Sequence, residues 1–165
     1  MKKYIYITML ICALFLLISM GETLGRESIQ IQITAEKTAM IDINEDTNVG
    51  YLTEDFIFNT DQPCNEWCYF TWGDREVKLS ANDVTYSTKR LKNENINKRF
   101  ETTETVKLLR ETAIFTEPKD DAHVMAYLTA NEMVSVISTQ GEWLKISFLN
   151  QEGYMKKTNI LEEQS

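Results

Sequence analysis

One histidine, two prolines, six glycines and three cysteines in 165 residues leave few ways to build a conventional active site. Any imidazole-dependent chemistry rests on His123 alone. The scarcity of proline and glycine, with charged residues spread along the chain, excludes collagen-like, low-complexity and disordered polymers. Positive charge is also in deficit: 17 Lys and Arg stand against 25 Asp and Glu, a net charge of -8. Such a chain repels phosphate backbones, and no basic stripe offsets that repulsion, so nucleic acid is not an expected partner. What remains is a globular composition, 43% apolar, sized for one largish domain or two small ones.

The N-terminus has the pattern of an export signal. Lys2 and Lys3 precede an apolar run from Tyr4 to Met20, and small residues follow at Gly21 and Gly25. The run falls a little short of the roughly 20 residues that span a bilayer core. Residues 1–25 are therefore expected to be a cleaved signal peptide, giving a secreted or periplasmic protein. An uncleaved anchor is the alternative and the one route to a membrane. Cys12 lies in the middle of the run, where a lipoprotein cysteine does not belong. Removing residues 1–25 takes away two basic residues and one acidic residue, so the mature chain carries a net charge of -9.

Cys64 and Cys68 then remain, separated by Asn65, Glu66 and Trp67. In an exported chain the simplest reading is a disulfide that pins a tight turn. The rival is a metal site with His123, one ligand short of a closed zinc site.

The mature chain contains an internal repeat. Tyr51-Leu52-Thr53 recurs as Tyr127-Leu128-Thr129, and at the same offset of 76 residues Glu66-Trp67 falls on Glu142-Trp143, Trp72 on Phe148 and Val84 on Ile160. Thr38-Ala39-Met40 matches Thr112-Ala113-Ile114 at 74, which places a two-residue insertion in a loop. Within each unit, short runs alternate apolar and polar residues. Val134 and Val136 share one strand face, as do Ile146 and Phe148, while Ser135, Lys145 and Ser147 point the other way. The expected fold is all-β: two small five-stranded barrels at 29–84 and 104–162, joined by a polar linker over 85–103.

The second unit resembles the bacterial SH3-like (SH3b) family of exported cell-envelope modules. The opening strand is Val106-Lys107-Leu108-Leu109-Arg110, and the apolar group is Val124-Met125-Ala126-Tyr127-Leu128. Glu142-Trp143-Leu144-Lys145-Ile146 matches the Trp strand and Gly153-Tyr154-Met155 the closing step. Asn131 replaces the usual turn glycine and Tyr154 the usual Trp. The first unit is divergent, with Val77 and Lys78 in place of Gly153 and Tyr154.

Modules of this family are often attached to wall-cutting enzymes, yet this chain offers no catalytic set. Cysteine catalysis needs a free thiolate beside an imidazole, no Gly-x-Ser-x-Gly turn presents a serine, and adjacent acids such as Asp120 and Asp121 do not form an opposed pair. No cofactor motif is present. The expected function is non-catalytic binding of a protein partner or a cell-wall peptide. The candidate contact residues are Tyr127, Trp143 and Tyr154 in the second unit and Tyr51, Trp67 and Trp72 in the first. An acidic immunity or inhibitor protein that neutralises a secreted toxin or wall hydrolase is the alternative.

Overall fold

The computed structural model describes residues 26–91 and 100–160; the proposed signal peptide lies outside them. All the regular structure there is β, apart from two single-turn 3-10 segments at Ala81–Asp83 and Lys157–Asn159. The first unit contains β1 (Arg26–Ile33), β2 (Lys37–Asp42), β3 (Asn48–Thr53), β4 (Ile57–Thr60), β5 (Trp67–Trp72), β6 (Arg75–Ser80) and β7 (Val84–Leu91). The second contains β8 (Glu104–Lys107), β9 (Thr112–Phe115), β10 (Val124–Leu128), β11 (Met133–Gln140), β12 (Trp143–Phe148) and β13 (Gln151–Lys156).

The repeat is visible element by element. β5, β6 and the first 3-10 turn recur 76 residues later as β12, β13 and the second turn, with identical lengths. β1 corresponds to β8: Ile31 pairs with Phe58 as Val106 pairs with Val134. The first unit thus has two strands more than the five that the sequence pattern counted, and the second has one more. The alternation read from sequence places the core correctly, since Val134, Val136, Ile146 and Phe148 are all buried. Asn131 adopts a left-handed backbone, φ 71°, as its place at the turn requires.

One boundary differs from expectation. Residues 85–91, assigned to the linker, belong to β7, which pairs along its whole length with β1. Its apolar periodicity is weak because, after Val84, residues 85–88 are exposed on both faces. Main-chain pairing rather than burial holds it in place, and a hydrophobic pattern does not report that. Gly153 lies inside β13, and the turn that precedes this strand is Leu149-Asn150.

The strands form a three-stranded sheet, β4-β1-β7, and a ten-stranded sheet, β5-β6-β2-β3-β10-β9-β13-β12-β11-β8. The second sheet runs through both units because β3 pairs with β10. In that ladder Tyr51 faces its own repeat equivalent, Tyr127, while Leu52 faces Ala126 and Gly50 faces Leu128. Exchanging the two units maps these pairs onto one another, which is the signature of an isologous, two-fold contact. Thr53 and Thr129 repeat the relation: the Thr53 hydroxyl donates to the Val124 carbonyl, and the Thr129 hydroxyl to the Asn48 carbonyl at 3.5 Å. One hydrophobic cluster includes core residues of both units.

Candidate functional site

The pseudo-two-fold axis also relates the ends of the β5–β6 and β12–β13 hairpins. Trp72 and Phe148, equivalent in the repeat, meet edge to face at 5.9 Å. Phe56 packs on the same Phe148 ring, also at 5.9 Å. Arg75 reaches across the junction to Glu132 at 2.9 Å, with Asp42 of its own unit at 3.9 Å. Its counterpart Gln151 reaches the other way and donates to the Ile57 carbonyl at 2.6 Å.

Two-residue loops bring these hairpin ends together. Gly73-Asp74 has glycine at the first position with φ 61°, the residue that turns of this length select there. Leu149-Asn150 has φ 45° and 61° at its two positions. Positive φ is unfavourable for leucine, and burial of the Leu149 side chain at the junction holds it there.

Two clefts flank this contact. The larger, about 440 Å³, is lined by Thr71, Trp72, Asp74, Arg75, Ser135 and Ser147 among others. The smaller, about 360 Å³, is bounded by Asn59, Asp61, Thr71, Gly73, Leu149 and Asn150. Asn59 is the repeat equivalent of Ser135, and Thr71 of Ser147, so the clefts are two versions of one site. Hydroxyls, amides and carboxylates dominate their walls. The Asn59 Oδ1 is buried without a hydrogen-bond partner, an acceptor available to a donor from outside.

The six aromatics expected to bind fall into separate places. Tyr51 and Tyr127 meet on the two-fold axis, both half-buried, with the Lys37 ammonium 4.2 Å from the Tyr127 ring centre and 6.0 Å from that of Tyr51. Trp72 belongs to the core of the junction and forms one wall of the larger cleft. Trp143 is buried beneath Lys156, 4.2 Å from the ring centre, with Phe115 edge-on at 5.4 Å. Tyr154 is half-buried on the neighbouring strand, opposite Lys145 and Phe115. Trp67 occupies the position equivalent to Trp143 but remains 38% exposed, with Lys78 at 5.1 Å. Only Trp72 lines a junction cleft; the hydroxyl and amide residues that dominate its walls were not singled out from sequence. The repeat offset itself placed Thr71 on Ser147 and Asp74 on Asn150, and that was the signal for them.

Lys145 and Glu152 pair at 2.9 Å, and the hydrogen bond that the Lys145 ammonium donates to that carboxylate raises its pKa. Glu117 is held below the usual carboxylate range by its hydrogen bond from Lys119. The Glu117–Lys119 pair lies in the loop between β9 and β10, whereas Glu152 is the cross-strand partner of Ser147 in the wall of the larger cleft. Cys64 and Cys68 are joined as a disulfide, so neither supplies a thiolate, and His123 is exposed on the loop between β9 and β10.

No family model matches the chain, and no curated protein matches it. Among solved structures it is similar to NlpC1 from Trichomonas vaginalis, at 14% identity and a TM-score of 0.34, covering 86% of this chain and 48% of that one. NlpC2 from the same organism aligns at 15% identity and a TM-score of 0.34, over 83% of this chain and 48% of that one. The chain thus spans about half the length of each.

Proposed function

We propose that this chain is an exported, non-catalytic binding protein built from two SH3b-like units, which takes a protein segment or a cell-wall peptide at the junction between them. The observation that carries this reading is the pair of equivalent polar clefts of about 440 and 360 Å³ on either side of the inter-unit contact. That size matches small-ligand sites, and hydroxyl and amide walls suit a polar chain better than a lipid or an aromatic cofactor. The apolar leader after Lys2 and Lys3 supports delivery outside the cytoplasm, where peptide and wall ligands are found.

Pelleting of the mature chain with purified peptidoglycan sacculi tests the wall version. The chain is expected to sediment at moderate salt. Ser135→Trp, which fills the larger cleft from a half-buried strand position, is expected to lower the bound fraction about tenfold while preserving the circular dichroism spectrum. A wild-type chain that stays in the supernatant at both low and moderate salt excludes the wall as its ligand.

A further inference from the structure

The two sheets end in four strand edges, and these are not equivalent. β4 has four residues, and the Ile57 carbonyl on its outer side already accepts from Gln151. On β5 the main chain of Tyr69 is taken by the Pro63 carbonyl and the Thr60 hydroxyl. β8 is also four residues long, and just past it the Leu109 amide bonds to the Asn159 carbonyl while Leu108 bridges to Ile160. β7 is the exception. It runs for eight residues in unbroken register with β1, and among the described residues no strand is bonded to its other side.

The ladders fix which groups of β7 face outward. The Ile33 amide donates to the Phe56 carbonyl at 3.0 Å and the Thr34 amide to the Asp83 carbonyl at 2.9 Å, so odd-numbered residues of β1 bond β4 and even-numbered ones bond β7. Gln32 and Gln30 therefore take the main-chain groups of Thr85 and Ser87, and those of Tyr86 and Thr88 point away from the sheet. Residues 85–88 are exposed and uncharged, with no proline, glycine or bulge among them. An edge this long and regular, without the devices that usually blunt one, is a template for another strand. No residue of β7 lines either cleft, so this surface is separate from the site described above.

We propose that the β7 edge pairs with the β7 edge of a second copy of this chain, antiparallel about a two-fold axis at Ser87, so that two three-stranded sheets become one. Because the outward groups lie on even-numbered residues, the self-pairing registers with the most overlap centre on Tyr86, Ser87 or Thr88. The Ser87 register overlaps Val84 to Arg90, about 24 Å of strand, and the Tyr86 register is shorter. Charge separates the other two. At Ser87 the two Lys89 positions lie four residues apart along the ladder, about 14 Å and beyond the Debye length, whereas centring on Thr88 halves that separation. The Ser87 register also opposes no like charges, since Lys89 falls opposite Thr85 and Arg90 opposite Val84. Tyr86 and Thr88 of one copy then exchange main-chain hydrogen bonds with Thr88 and Tyr86 of the other. The chain already joins its own two units by an isologous strand pair, β3 with β10. One ladder is small beside the roughly 1,200 Å² of a stable interface, so the dimer is reversible, with a dissociation constant of about 100 µM.

The test follows the chain from Arg26 onward by analytical ultracentrifugation and by amide exchange, between about 10 µM and about 1 mM. The mass is expected to approach twice that of the monomer, and exchange at the Tyr86 and Thr88 amides to slow about fivefold, while the Ser87 amide, already bonded to β1, changes much less. Ser87 faces its own copy in a non-hydrogen-bonded pair, so Ser87→Lys or Ser87→Glu alone sets like charges about 5 Å apart and is expected to weaken the dimer about tenfold. An equimolar mixture of the two variants is expected to dimerise at least as well as wild type, which a folding defect in either would not allow. A chain that remains monomeric at about 1 mM overturns the proposal. So does protection of Tyr86 and Thr88 that is independent of concentration, which would put a segment of the same chain on this edge. A dimer indifferent to the charge at position 87 is formed elsewhere and overturns it as well. Pelleting with sacculi reports on the clefts and is scored separately.

Discussion

At the scale of single residues the two units solve one packing problem with different side chains. A Cβ on Gly153 would lie 2.6 Å from Ile114 Cγ2 and 3.3 Å from the Met125 sulfur, so β13 approaches its neighbours more closely than any other residue allows. The first unit carries Val77 at that place, fully buried, and moves its glycine to β3. There a Cβ on Gly50 would meet the Tyr127 carbonyl and lie 2.9 Å from Met40 Cε. This exchange is why the first unit lacks the Gly153-Tyr154 step of the second. Gly153→Ala is expected to cost about 1–3 kcal/mol, because Ile114 is β-branched and buried and has little room to retreat. Gly73→Ala meets no neighbouring atom and instead carries the backbone penalty of a positive φ, about 1 kcal/mol. Urea denaturation of both variants checks the pair; a Gly153→Ala variant as stable as wild type would show that the strands separate easily at this point.

Among the elements, the loop between β4 and β5 is where the units differ most. In the second unit the corresponding β11–β12 hairpin is laddered from Val136–Ile146 to Gln140–Trp143. The first unit replaces that ladder with the Cys64–Cys68 bridge, an Asn65 amide bonded to the Trp67 carbonyl and a Tyr69 amide bonded to the Pro63 carbonyl. The bridge closes a very short loop, which limits its entropic contribution to about 2 kcal/mol. Cys64→Ala with Cys68→Ala is expected to lose about that much and to release protection of the Tyr69 amide while leaving the Trp143 to Phe148 strand protected. Amide exchange by residue is the measurement, and loss of protection in both units alike would contradict a local role. This loop and the repeat were legible in the sequence because cysteine spacing and a constant offset survive without any knowledge of pairing partners. The strand at 84–91 was not, since a ribbon held mainly by backbone hydrogen bonds leaves little apolar periodicity. The clefts were hidden for a related reason: their walls are threonine, serine and asparagine, residues whose significance depends on which strands stop pairing and where. The aromatics drew attention instead, and of these Trp72 and Trp143 are buried, Trp72 with one side on the larger cleft.

For the whole molecule the question is whether duplication produced two domains or one. Independent barrels would each bury their own core and meet, if at all, through a polar surface. Here a β-ladder, the Trp72–Phe148 contact and the Arg75–Glu132 pair all cross the pseudo-two-fold axis, and the hydrophobic cluster is shared. Truncating one of several small junction contacts costs about 1 kcal/mol, too little to uncouple the units, whereas Trp→Ala at a buried site costs about 3–5 kcal/mol, comparable with the whole stability of a small domain. The chain from Arg26 onward is therefore expected to unfold in one step, with calorimetric and van't Hoff enthalpies equal. Trp72→Ala should raise their ratio above one and separate the melting of the two units. Trp67→Ala, at a 38% exposed position of the first unit outside the junction contacts, should lower the midpoint by a few degrees and keep the ratio at one. Two transitions in the unmutated chain would mean that the ladder between β3 and β10 contributes little, and that each cleft answers to its own unit rather than to the pair.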